Sequence, residues 1–290
     1  MRFTIYPPQA IHELGKRENQ EDAIYPRKGE ATERDRLFIL CDGIGGHEKG
    51  EVASNTVSMA MAEYLNKNAS ADKVVADGVL LAALEYACRQ LDAIDDGAVR
   101  KMGTTLCLLL FHRGGLTAMH IGDSRIYHIR PSEHSLLYQS KDHSLVYDLY
   151  QAGEITYDEM RTSPQKNIIT RAILPGMDNR VRPSIVHITD ILPDDCFYIC
   201  SDGMLEQMSN EELCDLFSAN GSDKKKCQQL VAATIDNYDN HSAYFIHIKD
   251  VATEKGYNIK DDEQTSTDNA LNIRSRILSE HRMAQEWLPH

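Results

Sequence analysis

Four aspartates stand where apolar segments of the sequence begin or end. Asp42 follows LFILC, Asp123 follows AMHIG, Asp202 follows CFYICS, and Asp239 comes shortly before SAYFIHI. A lone Asp-Gly pair is typical of an ordinary turn. Four converging carboxylates at buried strand ends, however, would repel one another strongly unless cations compensated them. Oxygen ligands favour hard ions such as Mg²⁺ or Mn²⁺, and no His/Cys cluster has zinc spacing, so the pattern predicts a divalent-cation centre.

A further group suited to phosphate chemistry lies near the N-terminus. Arg17 stands in RENQED, five positions before Asp22. A guanidinium can bind two phosphate oxygens at once, although an isolated arginine is more often a surface charge. Glycines 43, 45 and 46 follow Asp42 and let the backbone approach a ligand closely, so a carbonyl of that loop could supply another metal oxygen.

The elements that must position these residues are short strands and amphipathic helices. Apolar runs that begin at Leu37, Ala118 and Cys196 predict buried strands ending in acidic loops, and Ser242–Ile248 predicts a strand entered from one. Apolar stripes over 52–65 and 80–91 predict helices packed on a core. Ser209 with Glu212 forms a capping box that predicts a helix start. Mixed strands and helices of this kind favour layered sheets covered by helices.

The length of 290 residues suits one large domain with a tail. We place a catalytic domain over residues 1–250, and a polar linker with a possible C-terminal helix over 251–290. The linker is expected because the stretch from Lys249 to Asn269 is polar and lacks a periodic apolar pattern. The helix is suggested by apolar residues that share one face, namely Ala270, Ile273, Ile277, Ala284 and Leu288.

Composition narrows the class of protein. The formal net charge of −13 disfavours nonspecific binding to nucleic acid. No run approaches the ~18 apolar residues of a membrane-spanning helix, and the N-terminus lacks the apolar core of a signal peptide. The seven cysteines are odd in number and include no CxxC pair, which predicts reduced and mostly buried thiols. A cytoplasmic protein without membrane association is therefore expected.

Eight segments then carry a resemblance to a known family. They are RENQEDAIY (17–25), DGIGGH (42–47), GTT (103–105), IGDSRIY (121–127), KDHSLVYDLYQAGEIT (141–156), ITRAIL (169–174), SDGM (201–204) and YDN (238–240). In this order and spacing, from roughly Leu14 to Ile248, the chain resembles the type 2C family of metal-dependent Ser/Thr protein phosphatases, in its bacterial form. The resemblance implies an α+β fold: a four-layer α/β sandwich with two facing antiparallel sheets flanked by helices.

The resemblance also implies roles for individual residues. Asp42 would bridge two core Mn²⁺ or Mg²⁺ ions, with the Gly43 carbonyl on one of them and Asp202 and Asp239 completing the second site. Asp123, together with Asp202, would hold a third ion. The remaining roles fall to residues of the first motif: Glu21 would act through bound water, Asp22 would lie behind the ligands, and Arg17 would bind the substrate phosphate.

The implied reaction is attack on phosphorus by a hydroxide that bridges the two cations, so no phosphoenzyme is needed. Cys41, next to Asp42, is then a buried structural thiol rather than a nucleophile. The proton donor for the leaving alkoxide is open, because Ile44 stands where some members have a histidine. Water on a third metal is the favoured donor, and His47 is a weaker candidate. His143 is expected to order the approach to a mobile, exposed flap of about residues 145–165.

The expected substrates are phosphoserine and phosphothreonine proteins, including those of a bacterial Ser/Thr kinase. Two other classes of protein compete with this interpretation. A catalytically inactive phosphatase-like regulator would be expected to lack a metal aspartate or the phosphate arginine, but this chain keeps all of them. Another two-metal hydrolase, such as a nuclease, is disfavoured by the acidic balance and the order of the motifs.

Overall fold

The computed structural model describes residues 1–44, 48–97, 101–177, 181–205 and 208–252. Two antiparallel sheets form its centre. The first sheet contains β1 (Arg2–Ile5), β2 (Gln9–Glu13), β8 (Arg125–Arg130), β9 (Ser135–Gln139), β11 (Cys196–Cys200) and β12 (His241–Ala252). The second contains β3 (Asp22–Tyr25), β4 (Leu37–Ile44), β5 (Gly103–Thr104), β6 (Leu106–His112), β7 (Gly115–Ile121) and β10 (Ser184–Ile188).

Six α-helices lie in the described part of the chain. They are α1 (Glu48–Asn68), α2 (Asp77–Ala93), α3 (Leu145–Gln151), α4 (Tyr157–Thr162), α5 (Asn210–Ser218) and α6 (Asp223–Thr234). Helices α1 and α2 cover the outer face of the second sheet, and α5 and α6 cover the outer face of the first. The predicted four-layer sandwich with two facing antiparallel sheets is therefore confirmed.

Strand β6 shows how the sequence builds these layers. Its run LCLLLF is apolar throughout because both faces of the strand are buried. Leu106, Leu108 and Leu110 point to the helical layer. Cys107 and Leu109, on the alternate face, pack between the sheets with Phe111. Burying each leucine stabilises the fold by roughly 1.5–3 kcal/mol, so the strand is held firmly from both sides.

The sheet order brings the acidic strand ends together. In the second sheet β4 lies between β3 and β6, and in the first sheet β12 lies beside β11. Asp22 of β3 stands directly opposite Asp42 of β4 in the register. The strands predicted at Leu37, Ala118, Cys196 and Ser242 are all present, with the acids of their loops at one edge of the sandwich.

Three further features of the structure test the sequence predictions. The capping box is present, since the Ser209 side chain accepts a bond from the Glu212 amide at the start of α5. All seven cysteines are free, and six are buried. The linker prediction is wrong at its start, because Lys249 to Ala252 continue β12. The polar side chains there do not prevent the backbone from pairing with β1, where Arg2 lies opposite Ala252.

Some predictions fall on residues outside those described, namely Gly45, Gly46, His47 and the C-terminal helix. In the part of the chain that is described, no helix has both the length and the apolar character needed to cross a bilayer.

Candidate metal centre and active site

Asp42 lies near the end of β4 and is braced by the GTT segment. Its backbone amide donates to Thr105 Oγ1 at 2.9 Å. Its carbonyl accepts from the Thr105 amide and from Thr104 Oγ1, each at 2.9 Å. Thr105 Oγ1 also bonds to Ser124 Oγ at 2.9 Å, next to Asp123. One buried threonine therefore couples the positions of two candidate ligands.

Asp22 is buried behind Asp42, where only 2% of its surface is exposed. Ser201 Oγ donates to its Oδ2 at 2.9 Å. Burial first, then the charges of Asp202 and Asp239, raise the pKa of Asp22 to about 7, against hydrogen bonds from Ser201 and Ser242 that lower it. The cavity described below is not lined by Asp22, which agrees with a place behind the ligands.

Burial also dominates the electrostatics of Asp42 and Asp123. It raises the pKa of Asp42 well above its usual value, and the charges of Asp22 and Asp202 add to the effect. Burial raises the pKa of Asp123 in the same direction, and there Asp202 is the largest charge that adds to it. Without positive charge nearby, these groups would tend to hold protons at neutral pH.

Asp239 is held at the entry to β12. Its Oδ1 accepts from the Asn240 amide at 2.8 Å, and its Oδ2 accepts from Arg17 at 2.7 Å. The Arg17 guanidinium also lies 5.5 Å from the centre of the Tyr238 ring. Arg17 is half exposed, so the structure places the predicted phosphate-binding group at the edge of the acidic cluster with its charge already facing a carboxylate.

Asp202 and Asp123 lie on loops at the same edge. Asp202 begins a short 3-10 helix, Asp202–Leu205, after β11. The next residue must be glycine, because a Cβ on Gly203 would lie 2.1 Å from the Asn240 carbonyl oxygen. Asp123 follows Gly122, whose φ of +104° also suits glycine.

One open cavity of about 240 Å³ joins these groups. Its lining includes every predicted ligand and the predicted phosphate clamp, but not Asp22. The lining residues are Arg17, Glu21, Asp42, Gly43, Ile44, Asp123, Asn167, Ile169, Asp202, Asp239 and Asn240.

The donor set fits hard divalent cations. Among the described residues, Oδ1 of Asp22 and Oδ1 of Asp123 are buried without a hydrogen-bond partner. Buried carboxylate oxygens in that state are costly unless a cation or solvent compensates them. No three Asp, Glu, His or Cys side chains of the described chain form a ready cage around one point. That is compatible with Mg²⁺ or Mn²⁺ chemistry, since Mg²⁺ usually takes one or two carboxylates and keeps several waters.

Several residues outside the carboxylate set have defined places. Ile44 lines the cavity and offers no proton. Cys41 is fully buried, and burial raises the pKa of its thiol, as suits a structural thiol. His143 is buried beside Gly122 rather than in the cavity lining.

The sequence interpretation missed Asn240 as a positioning residue. Its side chain accepts from the Glu21 amide at 2.7 Å and donates to the carbonyls of Leu14 and Asn19 at 2.8 and 3.0 Å. It thereby ties the Arg17 segment to the strand end that carries Asp239. Its place after Asp239 was the only available signal, because the partners lie more than 200 residues away.

The sequence interpretation also missed that three glycines pack too closely against other residues to carry a Cβ. A Cβ on Gly43 would lie 2.2 Å from the Gly50 carbonyl oxygen, and one on Gly50 would lie 2.7 Å from Glu21 Oε1. A Cβ on Gly15, with φ of +63°, would lie 2.2 Å from the Asp239 carbonyl oxygen. Gly43 is therefore required by the approach of α1, beside any role toward a ligand.

Comparison with known proteins agrees with this geometry. The family model described as protein phosphatase 2C matches residues 12–233. Protein phosphatase PhpP of Streptococcus pneumoniae is 32% identical over 220 residues, which are 74% of this chain and 85% of that protein. The crystal structure of the serine/threonine phosphatase Stp1 from Staphylococcus aureus is 27% identical, covers 86% of this chain and 97% of its own, and has a TM-score of 0.70.

A second similar structure was solved with metal ions bound. The catalytic domain of the serine/threonine protein phosphatase PstP, solved in complex with two manganese ions, is 27% identical. The match covers 85% of this chain and 99% of that one, with a TM-score of 0.67. The family model spans most of the chain and PhpP is matched over most of its length, so the chain belongs to the protein phosphatase 2C family of serine/threonine phosphatases.

Proposed function

We propose that this protein removes phosphate from phosphoserine and phosphothreonine in protein substrates, with Mn²⁺ or Mg²⁺ as its cofactor. The observation that carries the proposal is the single open cavity in which Arg17 meets the carboxylates of Asp42, Asp123, Asp202 and Asp239. These groups suit cations and a phosphate, and the cavity is open enough to admit a protein side chain.

In this proposal the carboxylates of Asp42, Asp202 and Asp239 and the Gly43 carbonyl would hold two core cations, and Asp42 would serve both of them. Asp123, together with Asp202, would hold a third cation. Glu21 would act through water, and Asp22 would support the centre from behind. When bound, the cations lower the pKa of water enough to supply hydroxide near neutral pH.

The chain's own residues then orient the substrate. Arg17 binds nonbridging phosphate oxygens in a two-pronged hydrogen bond, which positions phosphorus for attack and stabilises charge in the transition state. Its contact with Asp239 holds the guanidinium at the cavity before substrate arrives. Ile44 contributes no proton, so the leaving alkoxide needs another donor, and water held beside Asp123 and Asp202 would supply that proton.

The substrates are proposed to include targets of a bacterial Ser/Thr kinase, in the cytoplasm. The seven free cysteines support that location, because reduced thiols are typical of a reducing compartment.

The test measures hydrolysis of p-nitrophenyl phosphate and of a phosphothreonine peptide with Mn²⁺, Mg²⁺ or EDTA. We expect turnover only with metal. For Asp202→Asn we expect a fall of at least about 10²-fold, since supporting groups of metal sites alone are worth ~10–100-fold. Asp215→Asn is the matched control, because the Asp215 side chain is 63% exposed on α5, away from both the cavity and its ligands, and its ion pair is with the exposed His134.

Turnover that persists in EDTA would refute the two-metal account. Unchanged activity of Asp202→Asn at subsaturating Mn²⁺ would remove Asp202 from the site. Tight Mn²⁺ binding without any hydrolysis would favour the inactive regulatory alternative.

A further inference from the structure

A second cavity of about 200 Å³, here called the side groove, opens from the candidate active site. Asp123, Asn167, Asp202 and Asp239 line both cavities. The side groove continues from them between the flap and the start of α5. A polypeptide whose phosphorylated side chain lies in the first cavity would therefore meet the side groove with its neighbouring residues.

Five apolar side chains line part of the side groove. Val146 of α3 and Met160 of α4 are buried in its lining. Leu205 and Met208 are half-buried opposite them, and Tyr157 is 47% exposed at its margin. These five side chains come from α3, α4, the 3-10 helix and the loop before α5. Tyr157, Leu205 and Met208 leave part of their apolar surface open to solvent. Covering such a surface with an apolar group is favourable by about 25 cal/mol per Å² removed from water.

Several polar groups of the side groove already have partners. Arg125 donates to Asp142 through two nitrogens, at 2.8 and 2.7 Å, so this pair neutralises itself. Ser209 Oγ donates to Glu212 Oε2 at 2.8 Å. The Asn210 amide donates to Gln139 Oε1 at 2.7 Å. With these groups engaged, the partly exposed apolar side chains of Tyr157, Leu205 and Met208 remain a surface that a ligand could cover.

The size of the side groove limits what it can hold. Its volume lies below the ~300–1,000 Å³ of pockets that enclose a drug-sized molecule. It suits one or two side chains of a longer polymer. Each residue of an extended chain advances about 3.3–3.6 Å, so a residue one to three positions from the phosphorylated one can reach it.

We propose that the side groove binds an apolar side chain of the substrate, of leucine or methionine size, within three residues of the phosphoserine or phosphothreonine. This inference rests on the proposed function and adds a sequence preference to it. The groups that read the preference are Val146, Met160, Leu205 and Met208, with Tyr157 at the margin.

The experiment uses phosphothreonine peptides that differ at one position, with leucine, alanine or aspartate placed in turn at each of the three positions on either side. For the wild-type protein with Mn²⁺ we expect kcat/KM to be about tenfold higher for leucine than for alanine at one of these positions, since small differences in apolar contact are worth ~10–200-fold. The leucine-to-alanine ratio does not depend on how much of the enzyme is active.

Met208→Glu and Tyr157→Ser should lower that ratio toward one. Tyr157→Ser is the variant of choice if Met208→Glu folds poorly, because Tyr157 is already half exposed. Met59→Glu is the matched control, since Met59 is 45% exposed on α1 outside both cavities, and its ratio should equal that of the wild type.

A binding measurement separates this inference from the proposed function. Fluorescence anisotropy with non-hydrolysable phosphonate versions of the same peptides reports preference without turnover. A leucine preference in binding, with no hydrolysis of any peptide, would refute the phosphatase proposal and keep the side groove. Equal binding and equal kcat/KM for leucine and alanine would overturn the side groove. A preference for aspartate that disappears in Lys166→Ala would also overturn it, because recognition would then be ionic.

Discussion

The walls of the candidate active site and of the side groove that opens from it are built differently. The scaffold wall consists of the strand ends that carry Asp42, Asp202 and Asp239, and it is tied together by buried hydrogen bonds of Thr105 and Asn240. The flap wall consists of residues 145–165, with two helices of 7 and 6 residues whose side chains are largely exposed. The comparison suggests that the chemistry belongs to the rigid wall and that substrate choice belongs to the wall with fewer anchors.

The most severe test of the scaffold wall is Asn240→Ala. The change leaves the Glu21 amide and the carbonyls of Leu14 and Asn19 without their partner. Unsatisfied buried groups cost ~1–3 kcal/mol each, so we expect unfolding in urea to be easier by about 3 kcal/mol. Arg17 and Asp239 would then no longer be held in place relative to each other. We expect kcat/KM for p-nitrophenyl phosphate to fall by about 10²-fold, which is the size of effect seen when supporting groups of metal sites are removed.

The matched control is Asn66→Ala on α1. The exposed side-chain amide of Asn66 donates to Tyr25 Oη. Its stability and activity should stay close to those of the wild type. An Asn240→Ala protein of full activity would show that the scaffold wall does not depend on this side chain.

A smaller effect is expected for Thr105→Val, which keeps the shape of the side chain and removes its hydroxyl. The Asp42 amide loses its acceptor, and Ser124 loses its bond beside Asp123. We expect roughly a tenfold drop in activity and weaker Mn²⁺ binding by calorimetry, at the low end of the ~10–100-fold effects of such supporting groups.

Thr117→Val provides the same chemical change in strand β7 at a distance from the cavity. Thr117 is also fully buried, and its hydroxyl bonds to His112 and His187 at 2.8 and 2.9 Å. It should lose stability without losing Mn²⁺ affinity. Equal losses of affinity in both variants would mean that the effect is a general loss of packing.

The sequence was informative where local pattern decides the outcome. The apolar run that begins at Cys196 predicted a buried strand, and the Ser209–Glu212 box predicted the start of α5. The strand-end position of Asp42 predicted its place at an acidic site. Family resemblance supplied the sheet arrangement, which short-range pattern cannot give because every pairing of β12 joins distant segments.

Other features depend on contacts that no local pattern records. Asn240 looks like an ordinary loop residue until the chain brings Leu14 and Asn19 to it. Gly43 was expected to let the backbone approach a ligand, and the structure adds that it is a strand residue packed against Gly50. The opposition of Asp22 to Asp42 is a matter of register, and a shift of one strand by one residue would turn its aspartate to the other face of the sheet.

The hydrogen bonds of His143 are expected to make the stability of the segment between the two walls weakly dependent on pH. Its Nδ1 accepts from the Gly122 amide at 3.1 Å, so the neutral ring carries its proton on Nε2, which donates to Ser184 Oγ at 3.1 Å. The ring also stacks on His120 with 4.6 Å between centres. Burial first, then the nearby His120 and Arg171, lower the pKa of His143 to about 4.

The sign of the effect follows from that shift. Because the folded pKa lies below the ordinary ~6.5, the unfolded chain binds more protons between these values. The contribution of His143 to stability is therefore complete above about pH 6.5 and is lost as the pH falls toward 4. A protonated ring could no longer accept from Gly122, which would loosen the segment that leads into the flap.

Substitution isolates this contribution from other groups that titrate in the same range. In His143→Asn the side-chain oxygen can still accept from Gly122 but does not titrate, so the free energy of unfolding should fall less steeply from pH 7.5 to 5 than in the wild type. His134→Asn is the control, since His134 is 56% exposed and has a left-handed backbone that asparagine tolerates. Amide hydrogen exchange in the flap should likewise change less between pH 7.5 and 5 in His143→Asn than in the wild type. Parallel curves for the wild type and His143→Asn would show that this histidine packs between the walls without linking them to pH.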